Sequence, residues 1–362
     1  MISRTPLIIH TECSDGWGGQ EIRIMEEMRG MRKHGISTSL IAPEHSHILR
    51  KAGEEGFSVY PVTFSSKFHL PSWILLFRYF KQLRPDVVNT HSSDDSWIAG
   101  CIARLLGIPL IIRTRHVSTP IGSTFSYRYF PHMILTTSEV IRKHLIDKGL
   151  HGSKIFPVPT GIDLERFKFS ADHRNRVRKR LGLSNHHILV GQICVLRSWK
   201  GLAFFIDTAT TLPDPFRFIL VGDGPRRHWL QEKAKSMGME NRLIFAGHQD
   251  QVEQYFSAID IFFFTSYASE GIPQSLLQAM SIGLPLVVCR TPSVIETLQG
   301  IDNFMAIDYG DTEGAQQALI QIGDRLAHFN EGSDNRKQIL SRYGIENMWD
   351  ALISLYREHG VI

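Results

Sequence analysis

Short runs rich in β-branched residues, one of which (Ile261–Phe264) is apolar along its whole length, alternate along the chain with longer amphipathic stretches. In the first half, this pattern predicts strands at Leu7–His10, Thr38–Ala42, Val87–His91, Leu110–Arg113 and Met133–Thr136, and helices at Gln20–His34, Trp73–Arg84, Asp94–Leu106 and Val140–Lys148. The second half repeats it, with strands at Ile188–Val195, Phe216–Val221, Leu243–Ala246, Ile261–Phe264 and Pro285–Val288, and helices at Leu202–Ala209, Arg226–Met237, Val252–Ala258 and Gln274–Ile282. Strands without a polar face are expected in parallel sheets that helices cover on both sides.

The two strand–helix series predict an α/β protein of two facing Rossmann-like domains with parallel sheets, residues 1–160 and 161–362. The boundary is placed at Pro157–Gly161, where two prolines and a glycine interrupt regular structure, and the polar stretch Ala171–Arg180 follows. The last apolar stretch, Ile345–Glu358, is predicted to be a helix that packs back across a domain surface. Open parallel sheets bind ligands beyond the carboxyl ends of their strands, so we expect the site in the cleft between the domains.

Composition narrows the class of protein. A hydrophobic share of 43% supports a sizeable core, and a formal net charge of +4 over 362 residues is too small to indicate a nucleic-acid-binding protein. The four cysteines are scattered, which argues against a disulfide framework or a zinc site and favours a reducing compartment. No run of 18 apolar residues occurs in the sequence. We therefore expect a cytoplasmic protein.

Candidate binding residues follow three predicted strands of the first domain. Gly18 and Gly19 open the helix after the first strand, where small residues and free N–H groups suit a phosphate or a sugar hydroxyl; an ordinary glycine turn is the alternative. His91 ends its strand, and the next strand ends in three basic residues, namely Arg113, Arg115 and His116. The arginines are expected to hold an anionic acceptor, or else to form a solvated basic loop.

Cations and glycines follow the strands of the second domain in the same way. Arg197 and Lys200 come directly after its first strand, where they suit a departing diphosphate. A turn made of Gly222, Asp223 and Gly224 follows the next strand, although this sequence is also ordinary turn chemistry.

The segment Ser269–Pro285 combines a loop carboxylate with a helix start. Glu270 is placed to accept hydrogen bonds from sugar hydroxyls, and a proline at the beginning of a helix is common. The backbone amides that would point at a phosphate belong to Ile272, Gln274 and Ser275. Gln278 lies one turn deeper on the same helix face as Gln274.

Together these motifs resemble the retaining GT-B glycosyltransferases of family 4 over nearly the whole chain, and they look most like bacterial enzymes of lipopolysaccharide and surface polysaccharide assembly. The most specific match is Ser269–Pro285, with the Gly-Asp-Gly-Pro turn, Lys200-Gly201 and the N-terminal Gly-Gly as further marks. Two positions depart from the family pattern. Gln278 replaces the second glutamate, and Arg197 is displaced from the usual arginine position.

The resemblance implies transfer of a sugar from a nucleotide diphosphate donor to a glycan or lipid-linked glycan acceptor, with retention at the anomeric carbon and without a metal or other cofactor. It implies that Lys200 and Arg197 stabilise the leaving group while Glu270 and His91 orient the donor sugar. The implied donor-binding residues are Gly18, Gly19, Gly222, Asp223, Gly224, Gly271, Ile272, Pro273, Gln274, Ser275 and Gln278. The implied acceptor-binding residues are Arg113, Arg115 and His116.

Two alternative functions stay open at this point, and so does the role of one helix. A sugar-nucleotide epimerase would have a similar architecture, and a non-catalytic sugar-nucleotide-binding protein would explain the two departures from the family pattern. The helix Trp73–Arg84 combines aromatic bulk with three cations, which suits peripheral contact with the cytoplasmic face of the inner membrane. A core helix with one wet basic side explains the same pattern.

Overall fold

The computed structural model describes residues 4–268, 270–326 and 335–362. These residues form two compact α/β units. The first unit comprises Met1–Gly161, Glu270–Ile272 and Ile345–Ile362, and the second comprises Ile162–Ser269 and Pro273–Gly344.

The first unit contains a seven-stranded sheet in the order β3-β2-β1-β4-β5-β6-β7, and all of its neighbouring strands run parallel. Its strands are β1 (Leu7–Thr11), β2 (Ser37–Ala42), β3 (Ser58–Pro61), β4 (Val87–Thr90), β5 (Leu110–Arg115), β6 (Met133–Thr136) and β7 (Ile155–Pro157). Its first six helices are α1 (Gly19–Lys33), α2 (His47–Glu54), α3 (Leu70–Leu83), α4 (Ser93–Leu105), α5 (Phe125–Tyr129) and α6 (Glu139–Asp147). The strand order reverses between β1 and β4, which places the loops after these two strands side by side.

The second unit contains a six-stranded parallel sheet in the order β10-β9-β8-β11-β12-β13. Its strands are β8 (Ile188–Ile193), β9 (Phe216–Val221), β10 (Leu243–Gly247), β11 (Ile261–Phe264), β12 (Leu286–Cys289) and β13 (Phe304–Ile307). Its helices are α7 (Ala171–Arg180), α8 (Leu202–Thr211), α9 (Arg227–Ser236), α10 (Val252–Ala258), α11 (Gln274–Ile282), α12 (Pro292–Thr297), α13 (Thr312–Asp324) and α14 (Asn335–Tyr343). Here the order reverses between β8 and β11.

The final helix, α15 (Ile345–Glu358), packs against the first unit, as predicted. Its Trp349 donates a hydrogen bond from Nε1 to the carbonyl oxygen of Glu26 at 2.9 Å. A side chain at Gly30 would overlap the indole ring, so the glycine lets α1 and α15 approach closely. The amphipathic spacing at the end of the chain therefore correctly indicated a packed helix.

The stretch Ala171–Arg180, expected only as a polar continuation of the boundary, forms α7. Arg178 on α7 is buried, and its Nη1 donates to Asp260 at 2.8 Å, while Arg174 reaches the other carboxylate oxygen at 2.5 Å. The charges that looked like solvated polar sequence thus hold the helix to the segment before β11.

Candidate functional site

Three histidines form a buried row at the carboxyl ends of adjacent strands in the first unit. His10 lies on β1, His91 follows β4, and His116 follows β5. Nδ1 of His10 is 3.0 Å from Nε2 of His91, and Nδ1 of His91 is 2.9 Å from Nε2 of His116. Burial lowers the pKa of His10 to about 3 and holds the pKa values of His91 and His116 well below the usual histidine range. All three rings are therefore neutral near pH 7.

This row corrects the role expected for His91. Both of its ring nitrogens are bonded to neighbouring histidines, so neither is free to contact a donor sugar. His116 lies at the end of the row, with a small part of its surface exposed. The acceptor-binding role that the sequence assigned to His116 stays a prediction.

A buried ion pair on α1 lies behind the row. The Glu27 carboxylate accepts a hydrogen bond from Nε of Arg23 at 2.7 Å, and its other oxygen is 4.0 Å from Nδ1 of His10. Arg23 also donates to the carbonyl oxygen of Val158 at 2.7 Å. Burial raises the pKa of Glu27, and Arg23 opposes this shift. Within the described residues, His10 Nε2, Arg23 Nη2 and Tyr356 Oη are buried without a hydrogen-bond partner.

His10, Glu27 and His91 are also a geometric candidate for a metal site, since one ligand-type atom from each lies within 4.8 Å of the others. In the structure, however, these atoms already make contacts with other side chains of the protein. Arg23 occupies the carboxylate, and the two imidazoles bond to each other. Hydrogen bonds and an ion pair thus hold the cluster together.

A second buried carboxyl group, Glu12, organises the loop after β1, and no sequence motif pointed to it. One of its oxygens accepts hydrogen bonds from the backbone amides of Cys13 and Ser14, both at 2.8 Å, and from the hydroxyl of Ser92 at 2.5 Å. Burial, reinforced by the charge of Asp95, raises the pKa of Glu12 to about 7. Glu12 therefore ties together the two loops at the reversal of the first sheet.

The glycines before α1 differ in part from expectation. Gly18 is the N-cap residue of α1, and its N–H donates to the Glu21 carboxylate at 2.8 Å. The amide of Gly18 is therefore not free to hold a phosphate, which corrects that part of the prediction. Gly19 begins the helix, as the sequence indicated.

Arg113 and Arg115 hold the loop and short helix after β5. Arg113 is buried with its guanidinium 3.4 Å from the centre of the Tyr127 ring, and it donates to the hydroxyl of Ser126. Arg115 donates to the Tyr127 hydroxyl at 2.7 Å and to the carbonyl oxygen of Thr119 at 2.5 Å. These contacts join both arginines to neutral groups of the protein, and their binding of an anionic acceptor stays a prediction.

Three residues from the candidate donor loop, Glu270–Ile272, belong to the first unit. The hydroxyl of Ser118 donates to the carbonyl oxygen of Glu270 at 3.1 Å. A side chain at Gly271 would overlap the carbonyl oxygen of His116, so only glycine allows this approach. The structure therefore brings Glu270 and Gly271 to the end of the histidine row.

In the second unit, the loop after β8 is pinned through its backbone. The Thr265 hydroxyl lies 2.8 Å from the carbonyl oxygen of Lys200 and 2.6 Å from Oε1 of Gln192. Gly201 has φ +68°, and a side chain there would overlap the carbonyl oxygen of Thr265. These contacts fix the half-buried Lys200 at the reversal between β8 and β11.

Arg197 lies in the same loop and is exposed. Its guanidinium is 5.1 Å from the centre of the Trp199 ring, which is itself 39% exposed. Arg197 thus lies on the same loop as Lys200, with an exposed side chain.

The turn after β9 is built from glycines at positive φ. Side chains at Gly222 and Gly224 would collide with the backbone of Cys194 and of Leu196, respectively. Asp223 accepts a hydrogen bond from the Gly224 amide at 2.7 Å and from Arg227 at 2.9 Å, and these contacts lower its pKa. The Asp223 carboxylate therefore shapes the turn.

Helix α11 spans Gln274–Ile282, as predicted. Pro273 is its N-cap residue, and Gln274 and Ser275 open the first turn. Nε2 of Gln274 is buried without a hydrogen-bond partner among the described residues, and Gln278 is buried one turn further along. Ser269, the first residue of the predicted motif, lies outside the described residues.

Two family models match the chain. Residues 17–166 match the model described as Glycosyltransferase Family 4, and residues 185–324 match Glycosyl transferases group 1. The chain belongs to glycosyltransferase family 4. The two matched ranges contain the candidate site residues named from the sequence, from Gly18 to Gln278.

Curated proteins similar to this chain are also named as sugar transferases. The chain is 26% identical over 307 residues to the UDP-Gal:alpha-D-GlcNAc-diphosphoundecaprenol alpha-1,3-galactosyltransferase of Escherichia coli, covering 79% of each protein. It is 27% identical over 250 residues to the putative teichuronic acid biosynthesis glycosyltransferase TuaC of Bacillus subtilis, covering 66% of this chain and 61% of TuaC.

Solved structures confirm the fold as GT-B. Anabaena Alr3699/HepE in complex with UDP-glucose is similar with a TM-score of 0.88 at 18% identity, over 97% of this chain and 99% of HepE. WaaG, a glycosyltransferase involved in lipopolysaccharide biosynthesis, is similar with a TM-score of 0.72 at 13% identity, over 96% and 99% of the two chains. Among the described residues of this glycosyltransferase, no helix is long and apolar enough to cross a membrane.

Proposed function

We propose that this glycosyltransferase moves a sugar from a nucleotide diphosphate donor to a glycan or lipid-linked glycan acceptor, with retention, in bacterial lipopolysaccharide or surface polysaccharide synthesis. The observation that carries the proposal is the reversal point of the second sheet. There a backbone-pinned Lys200 and an exposed Arg197 follow β8, beside the loop after β11. The relative from Escherichia coli, which is named for transfer to a diphosphoundecaprenol-linked sugar, supports this class of acceptor.

In the proposed reaction, the bond between the anomeric carbon and the diphosphate breaks, and negative charge develops on the departing oxygen. Lys200 and Arg197 stabilise that charge, which is the role that a metal ion has in other transferases. Glu270 and His116 orient the donor sugar, while His91 holds His116 in place. The acceptor oxygen bonds to the same face of the anomeric carbon, and its proton passes to the departing diphosphate oxygen. We propose that no metal is required, and activity in excess chelator tests this directly.

The sharpest test is Lys200→Ala, assayed with a panel of UDP-linked and other nucleotide-linked sugars and polyprenyl-diphosphate sugar acceptors. Removal of one charge-stabilising group should lower kcat by roughly a hundredfold. Lys235→Ala removes an exposed lysine from α9 of the same unit and should leave kcat unchanged. Wild-type turnover by Lys200→Ala would refute the role. Nucleotide-sugar isomerisation without any acceptor would instead indicate an epimerase.

We also propose peripheral contact with an anionic membrane at the cytoplasmic face. It is supported by an aromatic patch on the first unit, defined as Phe68, Leu70, Ile74, Phe125 and Tyr129. Its members range from 47% to 80% exposed. The patch has a basic surrounding, since residues 61–85 and 96–138 contain no aspartate or glutamate. Among the described residues, none of the four cysteines forms a disulfide bond, which suits a reducing compartment.

Trp97 connects the two halves of the patch. Its ring stacks on Phe125 at 5.2 Å between ring centres, and Lys67 lies 5.1 Å from the centre of the same indole. The core-facing side of α3 carries Leu76 and Phe80, so the expected amphipathic helix is anchored in the unit while its start is exposed.

The membrane proposal is tested by sedimentation with vesicles that contain phosphatidylglycerol at low salt. The double variant Phe68→Ser/Phe125→Ser should lose most of the binding of the wild type. Trp229→Ser is the matched control, because Trp229 is 46% exposed on the second unit and also contacts an arginine. Equal binding by wild type and double variant, or absence of wild-type binding, would refute the proposal.

A further inference from the structure

The hydrogen bonds of the histidine row restrict which ring nitrogens can carry protons. Each link between two imidazoles needs one N–H and one lone pair, and the links join Nδ1 of His10 to Nε2 of His91 and Nδ1 of His91 to Nε2 of His116. Because the rings are neutral, each carries one proton. Only two arrangements satisfy both links. Either every ring is protonated on Nδ1, or every ring is protonated on Nε2.

Glu27 distinguishes the two arrangements. Its carboxylate oxygen lies 4.0 Å from Nδ1 of His10, which favours a proton on that nitrogen. Protonation on Nε2 would instead turn the His10 Nδ1 lone pair towards the carboxylate. It would also leave a buried Nε2–H without an acceptor, because His10 Nε2 has no partner among the described residues. Both effects favour the arrangement with Nδ1 protons.

The charges around the row support the same state. Arg23 is bonded to Glu27 at 2.7 Å, so the carboxylate keeps a fixed position towards His10. The guanidinium also opposes protonation of His91 and His116. From α15, Tyr356 is buried close to the ion pair.

We propose that Glu27 sets the tautomer of His116 through His10 and His91, so that His116 is held neutral with its proton on Nδ1. Glu27, His10 and His91 are thus positioning residues, and His116 is the group they prepare. The role of His116 in contacting the donor rests on the proposed function. The arrangement of protons does not, since it follows from the buried contacts alone.

The first test uses the wild-type protein labelled with ¹⁵N-histidine. Two-bond ¹H–¹⁵N correlation spectra distinguish the two neutral tautomers, and a His116→Gln sample assigns the resonance. We expect His116 to be neutral, with a protonated Nδ1 and a bare Nε2. A proton on Nε2 in the wild type would overturn the proposal. So would a stoichiometric metal ion that is lost from Glu27→Gln, because a metal bound by His10 and His91 would break the row.

The second test removes the Glu27 charge, which favours protons on Nδ1. Glu27→Gln should shift His116 towards the Nε2 tautomer and lower kcat roughly tenfold or more, with a smaller change in donor KM. Arg23→Gln/Glu27→Gln removes both charges, so it gives a reading even where the single variant fails to fold. Glu26→Gln is the control, because Glu26 is on the same helix and pairs with Arg29.

An unchanged Nδ1 tautomer in the folded double variant would overturn the role of Glu27. A shifted tautomer in a protein that transfers no sugar with any donor would contradict only the proposed function.

Discussion

The strand order reverses once in each sheet, and different chemical groups fix the loops there: side chains in the first unit and backbone groups in the second. In the first unit, the loops after β1 and β4 meet over buried titratable side chains, including His10, Glu12 and His91. In the second unit, the loops after β8 and β11 meet through backbone carbonyls and a glycine at positive φ, with Lys200 and Arg197 beside them. The same topology thus produces one edge with buried ionisable side chains and another that carries two cations.

This difference follows from what each edge must hold in place. A buried hydrogen-bond network fixes proton positions, because each of its members costs free energy when its partner is missing. A cationic side chain that binds a diphosphate has to remain accessible to the ligand. Its position therefore has to be fixed by the backbone that carries it. Substitutions should therefore act through burial and ionisation in the first unit, and through backbone geometry in the second.

The largest effect is expected for Arg23→Met in the first unit. It leaves the Glu27 carboxylate buried without its ion partner, which should cost about 3 to 5 kcal/mol of unfolding free energy. Arg29→Met on the same helix removes a partly exposed pair with Glu55 and should cost about 1 kcal/mol or less. Urea unfolding of the three proteins measures the difference. Equal destabilisation by both variants would remove the contrast between a buried and a surface network.

Gly201→Ala tests the backbone side of the comparison. The added methyl group would meet the carbonyl oxygen of Thr265 at a φ of +68°, and we expect a cost of about 2 to 4 kcal/mol together with weaker donor binding. Gly182→Ala has nearly the same φ, +67°, but nothing within 4 Å, so it should cost only about 1 kcal/mol. Thermal unfolding with and without nucleotide separates the two variants. A similar loss in both would show that the close approach is unimportant.

The fold was largely predictable because short β-branched or apolar runs alternate with amphipathic stretches. The run at Ile261–Phe264 is apolar throughout, and its strand lies inside the second sheet. The edge strands β3 and β13 were missed, since they are four residues long and only partly buried, so their pattern is weak. Helix α7 was missed because Arg174 and Arg178 resemble surface charges in the sequence, whereas in the structure both pair with Asp260.

The site was predictable only where a motif fixes its place in the fold. The glycines and cations at the strand ends were found because a strand followed by such residues is informative by itself. Glu12 carries no motif, and its burial depends on Ser92 from a distant loop. The histidine row depends on strand register, which pairs His10 with Asn89. A histidine at the ends of three neighbouring strands is the one signal that could have indicated the row.

Glu12→Gln sharpens the comparison through pH. Folding raises the pKa of Glu12 from 4.5 to about 7, so the carboxyl group is stabilising when protonated and that stability is lost as the pH rises from 4.5 to 7. Relative to Glu12→Gln, the wild type should therefore lose on the order of 2 to 3 kcal/mol across this interval. Urea unfolding at several pH values measures it. A difference between the two proteins that is constant with pH, or that grows in favour of the wild type, would contradict the ionisation of a buried Glu12.

The smallest effect is expected for Asp223→Asn, and it separates shaping a turn from binding a donor. The substitution keeps an acceptor for the Gly224 amide and removes only the exposed ion pair with Arg227, so it should cost less than about 1 kcal/mol. Donor KM should stay within about twofold of the wild type, because the edge of the second unit relies on backbone position and on Lys200. Steady-state kinetics with the donor identified from the panel measures this. A tenfold rise in KM without loss of stability would mean that Asp223 contacts the donor, and that this edge uses side-chain acceptors as the first unit does.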